Sequence, residues 1–319
     1  MVLTRRISVV VPTYQRPAML REALASIRAL EASHDDLALE IIVGDNGLQD
    51  EARRISSEFG AVYTTAAGAG VSCARNAALE AATGDFVAFL DDDDTWLPGH
   101  IRPHLAYLDA HPHHDAVFGQ AVSTDPELNP LSEPWPRQHP GHGDELTRTL
   151  LSGLFPQIGT VVVRKPAVEG VGYFDTRLIG GEDLDWLLRF ARRNKLGYVP
   201  TPCIHFRGRP VGSSDALQSL RIGFDCRVFL RHALPLAHRL WRSPLGFLIS
   251  YHGSLIHYHQ YFTRKAIWFA EQGSWLGAVR SLKMLWIYLP LLLAADLLRP
   301  TPLRRAITRM FFNPRNGSS

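Results

Sequence analysis

The sequence predicts an α/β fold, a mostly parallel sheet with helices on both faces followed by a C-terminal helical extension. Three observations carry this. Short β-branched runs alternate with amphipathic segments over roughly residues 7–90. Two of those runs stop abruptly at acidic residues, Asp45 and Asp91-Asp92-Asp93-Asp94. From about Arg227 the chain turns apolar and basic, with helical character.

Ile7-Ser8-Val9-Val10-Val11 is short and β-branched and reads as a buried strand. Pro12 to Arg16 is a turn, and Leu20, Ala23, Leu24, Ile27 and Leu30 follow at helical spacing. Glu40-Ile41-Ile42-Val43-Gly44 is a second strand ending in the turn signal Asp45-Asn46-Gly47. Arg53 to Phe59 suits a helix, and Ala61-Val62-Tyr63 a weak strand. A helix through Ala74, Ala77, Ala78 and Ala81 opens at Gly68-Ala69-Gly70 and closes at Gly84. Phe86-Val87-Ala88-Phe89-Leu90 is the strongest strand signal. Ala116-Val117-Phe118 and Thr160 to Val163 are further strands, with a Pro-, Gly- and His-rich loop over 124–145 between them. Gly180-Gly181 precedes a helix from Glu182 to about Asn194.

At 319 residues, 46% hydrophobic and 20% charged, the chain can build a large core. Three scattered cysteines do not make a disulfide framework and suit a reducing compartment. The first apolar run is too short for a signal-peptide core, so a cytoplasmic setting is expected. Charge divides unevenly. Residues 1–226 hold 21 Lys+Arg and 29 Asp+Glu; residues 227–319 hold 13 and 2. An acidic body with a basic tail points the tail at an anionic surface.

In parallel sheets ligands bind outside the carboxyl ends of the strands. Asp45 and Asp91–Asp94 both stand at such ends. Four adjacent carboxylates repel one another unless solvent or a divalent ion neutralises them. Oxygen-only ligands suit Mg²⁺ or Mn²⁺ sharing phosphate oxygens. A solvated acidic turn is the plain alternative, weakened by the apolar strand before the run and Thr95-Trp96-Leu97-Pro98 after it.

These segments together resemble the family 2 inverting glycosyltransferases with the GT-A fold, a Rossmann-like architecture. Val10-Val11-Pro12-Thr13-Tyr14-Gln15-Arg16 resembles their opening strand and loop, and Glu40 to Gly47 their second strand. Ala74-Arg75-Asn76, Gly84-Asp85 and Phe89 to Trp96 resemble their helix, strand and DXD segment. Gly181-Glu182-Asp183-Leu184-Asp185-Trp186 resembles their ED motif. The order and spacing match over roughly residues 5–215.

The resemblance implies roles. Pro12, Thr13, Tyr14 and Arg16 would line the nucleotide, and Asp45 would accept a hydrogen bond from its base. Arg75 would hold the base and phosphate region. Asp91 and Asp92 would meet ribose or metal-bound water, and Asp93, with Asp91, would hold Mn²⁺ or Mg²⁺. Asp183, beside Glu182, would be the general base, its anion favoured by a helix N-terminus by about 0.3–1 kcal/mol. Acidity at a helix start is also common without catalysis. Asn46 and Leu48 depart from the family's acid and Ser. Arg209 stands where the family often has His; Arg207, Arg209 or His205 could face the pyrophosphate, though Arg cannot ligate metal.

Among the remaining histidines, His111, His113 and His114 flank a helix-breaking Pro112 and read as loop. His100 and His104 are spaced i, i+4, with no third ligand evident. Met284 to Leu298 is apolar but for Asp296, broken by Pro290, and short of the roughly 20 residues a span needs. Arg299, Arg304, Arg305, Arg309 and Arg315 follow. Peripheral contact with an anionic membrane face fits this composition, with a helical hairpin packed on the catalytic part as the alternative. The segment is too apolar for a nucleic-acid-binding arm.

The domains expected are a catalytic domain, 1–226, with donor half 1–120 and acceptor half 121–226, and the extension 227–319. The expected function is inverting transfer of a sugar from a UDP-linked donor to a saccharide or lipid-linked acceptor, in cell-envelope or polysaccharide assembly. A catalytically silent membrane scaffold and a nucleotidyltransferase are the alternatives. The latter would want a Gly-rich phosphate loop after the first strand, which Pro12 to Arg16 does not supply.

Overall fold

In the computed structural model, the described residues are 5–151, 156–208, 227–228, 231–232, 244–288, 293, 296–298 and 300–312. Strand β1 (Arg5–Thr13) is buried from Ile7 onward, as its β-branched run demands. Helix α1 (Pro17–Ala32) starts on a proline at its first turn and buries Leu20, Ala23, Leu24, Ile27 and Leu30. Fully burying each of Leu20, Leu24 and Ile27 stabilises the fold by roughly 1.5–3 kcal/mol.

Strand β2 (Leu37–Asp45) runs parallel to β1, with Thr13 opposite Asp45. Helix α2 (Asp50–Glu58) leads to β3 (Val62–Thr65), parallel to β2 at the sheet edge. Helix α3 (Val71–Ala81) begins after Gly70, whose φ of +102° excludes other residues without strain. It lies against β2 so closely that a Cβ on Gly44 would fall 2.0 Å from the Ala74 carbonyl oxygen. Strand β4 (Phe86–Phe89) pairs parallel with the other side of β1.

The winding reverses there, since β2 lies on one side of β1 and β4 on the other. A crevice at such a switch point is where open α/β sheets bind ligands. The sheet continues as β3-β2-β1-β4-β7-β6-β8-β5. Strand β5 is Thr95–Trp96, β6 is Ala116–Thr124, β7 is Val161–Arg164 and β8 is Leu196–Arg207. Helices α4 (Arg102–Ala110), α5 (Asp144–Leu151), α6 (Lys165–Val171) and α7 (Glu182–Ala191) connect them. β7 is antiparallel to both neighbours and β5 to β8; the other pairings are parallel.

Twelve-residue β8 carries two prolines, which hides it in the sequence. Its register against β6 shifts on either side of the Gln120–Pro202 pair, and a bulge tolerates the missing donor. The 124–145 segment expected as loop is tied back to β6 by bridges Ala121–Trp135 and Thr124–Pro130.

The described residues fall into two compact units, one within 1–150 and 154–213, the other within 151–153 and 214–319. The second holds α8 (Pro244–Glu271), α9 (Trp275–Tyr288) and α10 (Pro302–Phe312). Phe262, Ala266, Phe269, Ala278, Leu285, Leu293 and Leu303 form its apolar core. Among the described residues no helix is long and apolar enough to cross a membrane. Arg209, Arg299 and Arg315, singled out in the sequence, lie outside the described residues.

Phe89 is fully buried and meets Phe174 and Trp186 edge-on, at 5.8 Å in each case. Phe89→Ala should lower unfolding free energy by about 3–5 kcal/mol, read as a fall in urea midpoint at unchanged slope.

Candidate active site

Because β1 and β4 end side by side, their polar termini meet. Thr13 Oγ1 donates to Asp92 Oδ2 at 2.8 Å. The turn after it, with Gln15 at φ +54°, brings Arg16 back over the acidic run. Arg16 Nη1 lies 2.9 Å from both Asp92 Oδ1 and Asp93 Oδ2. Pro12 is buried beneath this turn, while Tyr14 keeps 54% of its surface exposed at the crevice.

Each aspartate of the run has its own neighbour. Asp91 Oδ1 accepts from Arg75 Nη2 at 2.6 Å, and Asp94 Oδ1 accepts from the Arg207 amide at 2.9 Å. Carboxylate oxygens of Asp91, Asp93 and Asp94 still lie within 4.8 Å of one another. All-oxygen donors at that spacing fit a hard divalent ion. Burial pushes the Asp92 carboxyl up to about 6; Arg16 pulls it back and Asp93 adds to the rise.

Arg75 is buried. Besides Asp91 it reaches Glu182 Oε1 at 3.0 Å, and its guanidinium sits 5.3 Å from the Phe174 ring centre. Burial opposes its charge, yet Asp91, Glu182 and Asp183 outweigh that and keep it protonated. Arg75 thus forms a buried bridge from the end of β4 to the start of α7. Asn76 adds a second tie. Its Nδ2 donates to the Phe174 carbonyl, and its Oδ1 accepts from the Phe174 amide, both at 2.9 Å.

Helix α7 starts after Gly181, which is left-handed at φ +68°. Asp183 falls in its first turn and accepts the Leu184 amide at 2.8 Å. Its anion was expected to be favoured. Instead burial and the Glu182 charge, against the pull of Arg75, push its carboxyl up to about 7. The helix dipole is the smaller effect here.

Asp45 is fully buried. It accepts the Gly47 amide at 2.6 Å, the Gln49 amide at 2.9 Å and the Tyr63 hydroxyl at 2.8 Å. Oδ1 takes one of these bonds and Oδ2 takes two. Tyr63, which no motif flagged, is pushed up to about 12 by burial and by this bond.

Arg207 Nε donates to the Asp93 carbonyl at 2.8 Å, Nη1 to the Pro126 carbonyl at 3.0 Å, and Nη2 pairs with Glu22. These bonds clamp the end of the acidic loop against β8, α1 and the loop after β6. Glu22, on α1, carried no sequence signal for this pairing. His205 lies on β8 opposite Thr95, where burial and Arg207 hold it below the usual histidine range.

The model of the family described as glycosyl transferase family 2 matches residues 8–170. The succinoglycan biosynthesis protein ExoM of Rhizobium meliloti (strain 1021) is 39% identical over 98 residues, 29% of this chain and 31% of that protein. The GalNAc(5)-diNAcBac-PP-undecaprenol beta-1,3-glucosyltransferase of Campylobacter jejuni is 34% identical over 105 residues, 30% of this chain and 31% of that one. The match thus spans about a third of these curated relatives. The crystal structure of S. aureus TarS 1-349 superposes with a TM-score of 0.60 at 18% identity, covering 96% of this chain and 88% of that one. That likeness establishes the GT-A fold.

Removing Arg75 strands buried Glu182 and half-buried Asp91. Arg75→Ala should cost about 3–5 kcal/mol of stability, measured by denaturant titration. Arg75→Lys, with one charge but no fork, should recover only part of it.

Proposed function

The chain belongs to glycosyl transferase family 2, and on that premise we propose that it moves a sugar from a nucleotide diphosphate donor, UDP-linked, to an acceptor hydroxyl with inversion. One observation carries the reading. Arg75 joins Asp91 to Glu182, so the acidic run and the start of α7 belong to one site.

In this reading the base lies against exposed Tyr14 and donates to Asp45. Thr13 and Arg16 orient Asp92 toward the ribose. Asp93 and Asp91 would hold Mn²⁺ or Mg²⁺, whose charge would offset that of the departing diphosphate. Asp183 takes the acceptor's proton as its oxygen attacks the anomeric carbon. The bond to the donor phosphate breaks on the opposite face, and its electron pair leaves with the nucleotide. A carboxyl titrating near 7 suits a base working at neutral pH.

For the acceptor we favour a saccharide or lipid-linked saccharide of cell-envelope or polysaccharide assembly, met at the inner face of the membrane. Two observations support this. Relatives include a succinoglycan biosynthesis protein and a transferase named for an undecaprenol-linked glycan. Helix α9 exposes Leu276, Val279 and Trp286 at 60%, 46% and 66%, along one face that also carries Lys283. Helix α10 divides differently from the tail's sequence impression. Leu303 and Ala306 pack inward, while Arg304, Arg305 and Arg309 are exposed. Apolar anchors beside basic side chains suit an anionic lipid surface.

Asp183→Asn should lower transfer by on the order of 10²–10⁴ while leaving the unfolding midpoint near wild type. Because the native carboxyl titrates high, the active anion is lost as pH falls through about 7. Wild-type transfer should therefore drop about tenfold per unit below that point and level off above it. By calorimetry, Mn²⁺ should strengthen UDP binding to wild type but not to Asp93→Asn; equal binding with and without the ion in wild type would remove the metal assignment.

The membrane reading has its own test. Leu276→Glu with Trp286→Glu should reduce co-sedimentation with anionic vesicles about tenfold or more, with soluble-acceptor transfer unchanged.

A further inference from the structure

The geometry points to a second metal site, for a zinc-class ion, built by His100, His104 and Cys203. It differs in chemistry from the acidic run and sits inside the catalytic unit. His100 follows β5 after the Pro98-Gly99 turn, His104 lies in the first turn of α4, and Cys203 is on β8. The third ligand that the sequence did not reveal therefore arrives from a strand 99 residues beyond His104.

All three side chains are fully buried. One ligand atom from each lies within 4.8 Å of the other two, and Cys203 Sγ is 3.9 Å from His104 Nε2. The imidazole rings of His100 and His104 meet at 4.6 Å between centres. Room for the sulfur comes from β6: a Cβ on Gly119 would stand 2.1 Å from Cys203 Sγ and 3.1 Å from His104 Cε1.

The hydrogen bonds point to an ion. Neither ring nitrogen of His100 makes a hydrogen bond of normal geometry, although the Gly159 backbone lies close enough to interact with the ring, and Nδ1 of His104 has no partner. A buried polar atom left unpaired costs stability, so this cluster asks for a ligand. His104 Nε2 donates to the Thr160 carbonyl at 3.0 Å. That bond makes Nε2 the N–H, so His104 would ligate through Nδ1, and the 3.9 Å contact measures how near the Cys203 thiol stands to the ring rather than the spacing of two ligand atoms.

Burial also keeps both rings neutral, which is the ligating form. The same burial pushes the Cys203 thiol up to about 12. Binding would expel that proton to solvent and leave a thiolate facing the cation. Two imidazoles and a thiolate select zinc over Mg²⁺ or Mn²⁺. On a tetrahedral ion such atoms sit roughly 3.3–3.6 Å apart, so the side chains would draw in by about 1 Å. The ion would tie the β5–α4 turn to β8, the strand whose Arg207 clamps Asp93 and Asp94.

Metal analysis of the full chain, purified without chelator, tests this. About one zinc per chain should survive dialysis against excess Mg²⁺. Replacement by Co²⁺ should give visible d–d bands and a near-ultraviolet thiolate-to-cobalt band. Those signals should persist in Asp93→Asn, Cys73→Ser and Cys226→Ser, and be lost in Cys203→Ser and His100→Asn. Wild-type chain that holds only trace zinc and gives no thiolate band with Co²⁺ overturns the site. A band that instead follows Cys73 or Cys226 does so too. The wild-type measurements decide the matter even where a core variant fails to fold.

Discussion

The buried guanidinium of Arg75 is the contact on which the rest of the site depends. It stands between Asp91 at the end of β4 and Glu182 at the start of α7, two elements far apart in sequence. Without that cation the two carboxylates would face each other in a poorly hydrated space, and each would have to take a proton or move apart. The aromatic cluster of Phe89, Phe174 and Trp186 holds the same two elements from below. Asn76 fixes the loop carrying Phe174 through two backbone bonds. Charge and packing thus specify one relative placement of β4 and α7.

The acidic run shows how four like charges coexist in one turn. Arg75 takes Asp91, Arg16 spans Asp92 and Asp93, and the Arg207 amide takes Asp94. Burial still wins at Asp92, whose carboxyl titrates near 6. A divalent ion entering among Asp91, Asp93 and Asp94 would change this balance at once, because its charge exceeds that of any single side chain nearby.

Asp183 illustrates a competition that helix position alone misjudges. Its place in the first turn of α7 favours the anion by less than 1 kcal/mol or so. Burial and the adjacent Glu182 act the other way and are stronger. The net effect is a carboxyl pushed above the usual carboxylate range.

The fold class, strands β1, β2 and β4, and the acidic strand ends follow from local pattern. β-branched runs and helical spacing are properties of neighbouring residues, and a strand's end is legible where its apolar run stops. Bulged, proline-bearing β8 escaped that logic, since its pairing rests on β6 rather than on its own composition. So did the partners of Arg75 and Arg207, the Tyr63–Asp45 bond and the meeting of Cys203 with His100 and His104. Thus the sequence by itself determined an α/β sheet with acids at its carboxyl edge. Only tertiary structure decided which charges neutralise which, and where carboxylates titrate. Burial and distance set both quantities, and they arise only when residues remote in the chain pack together.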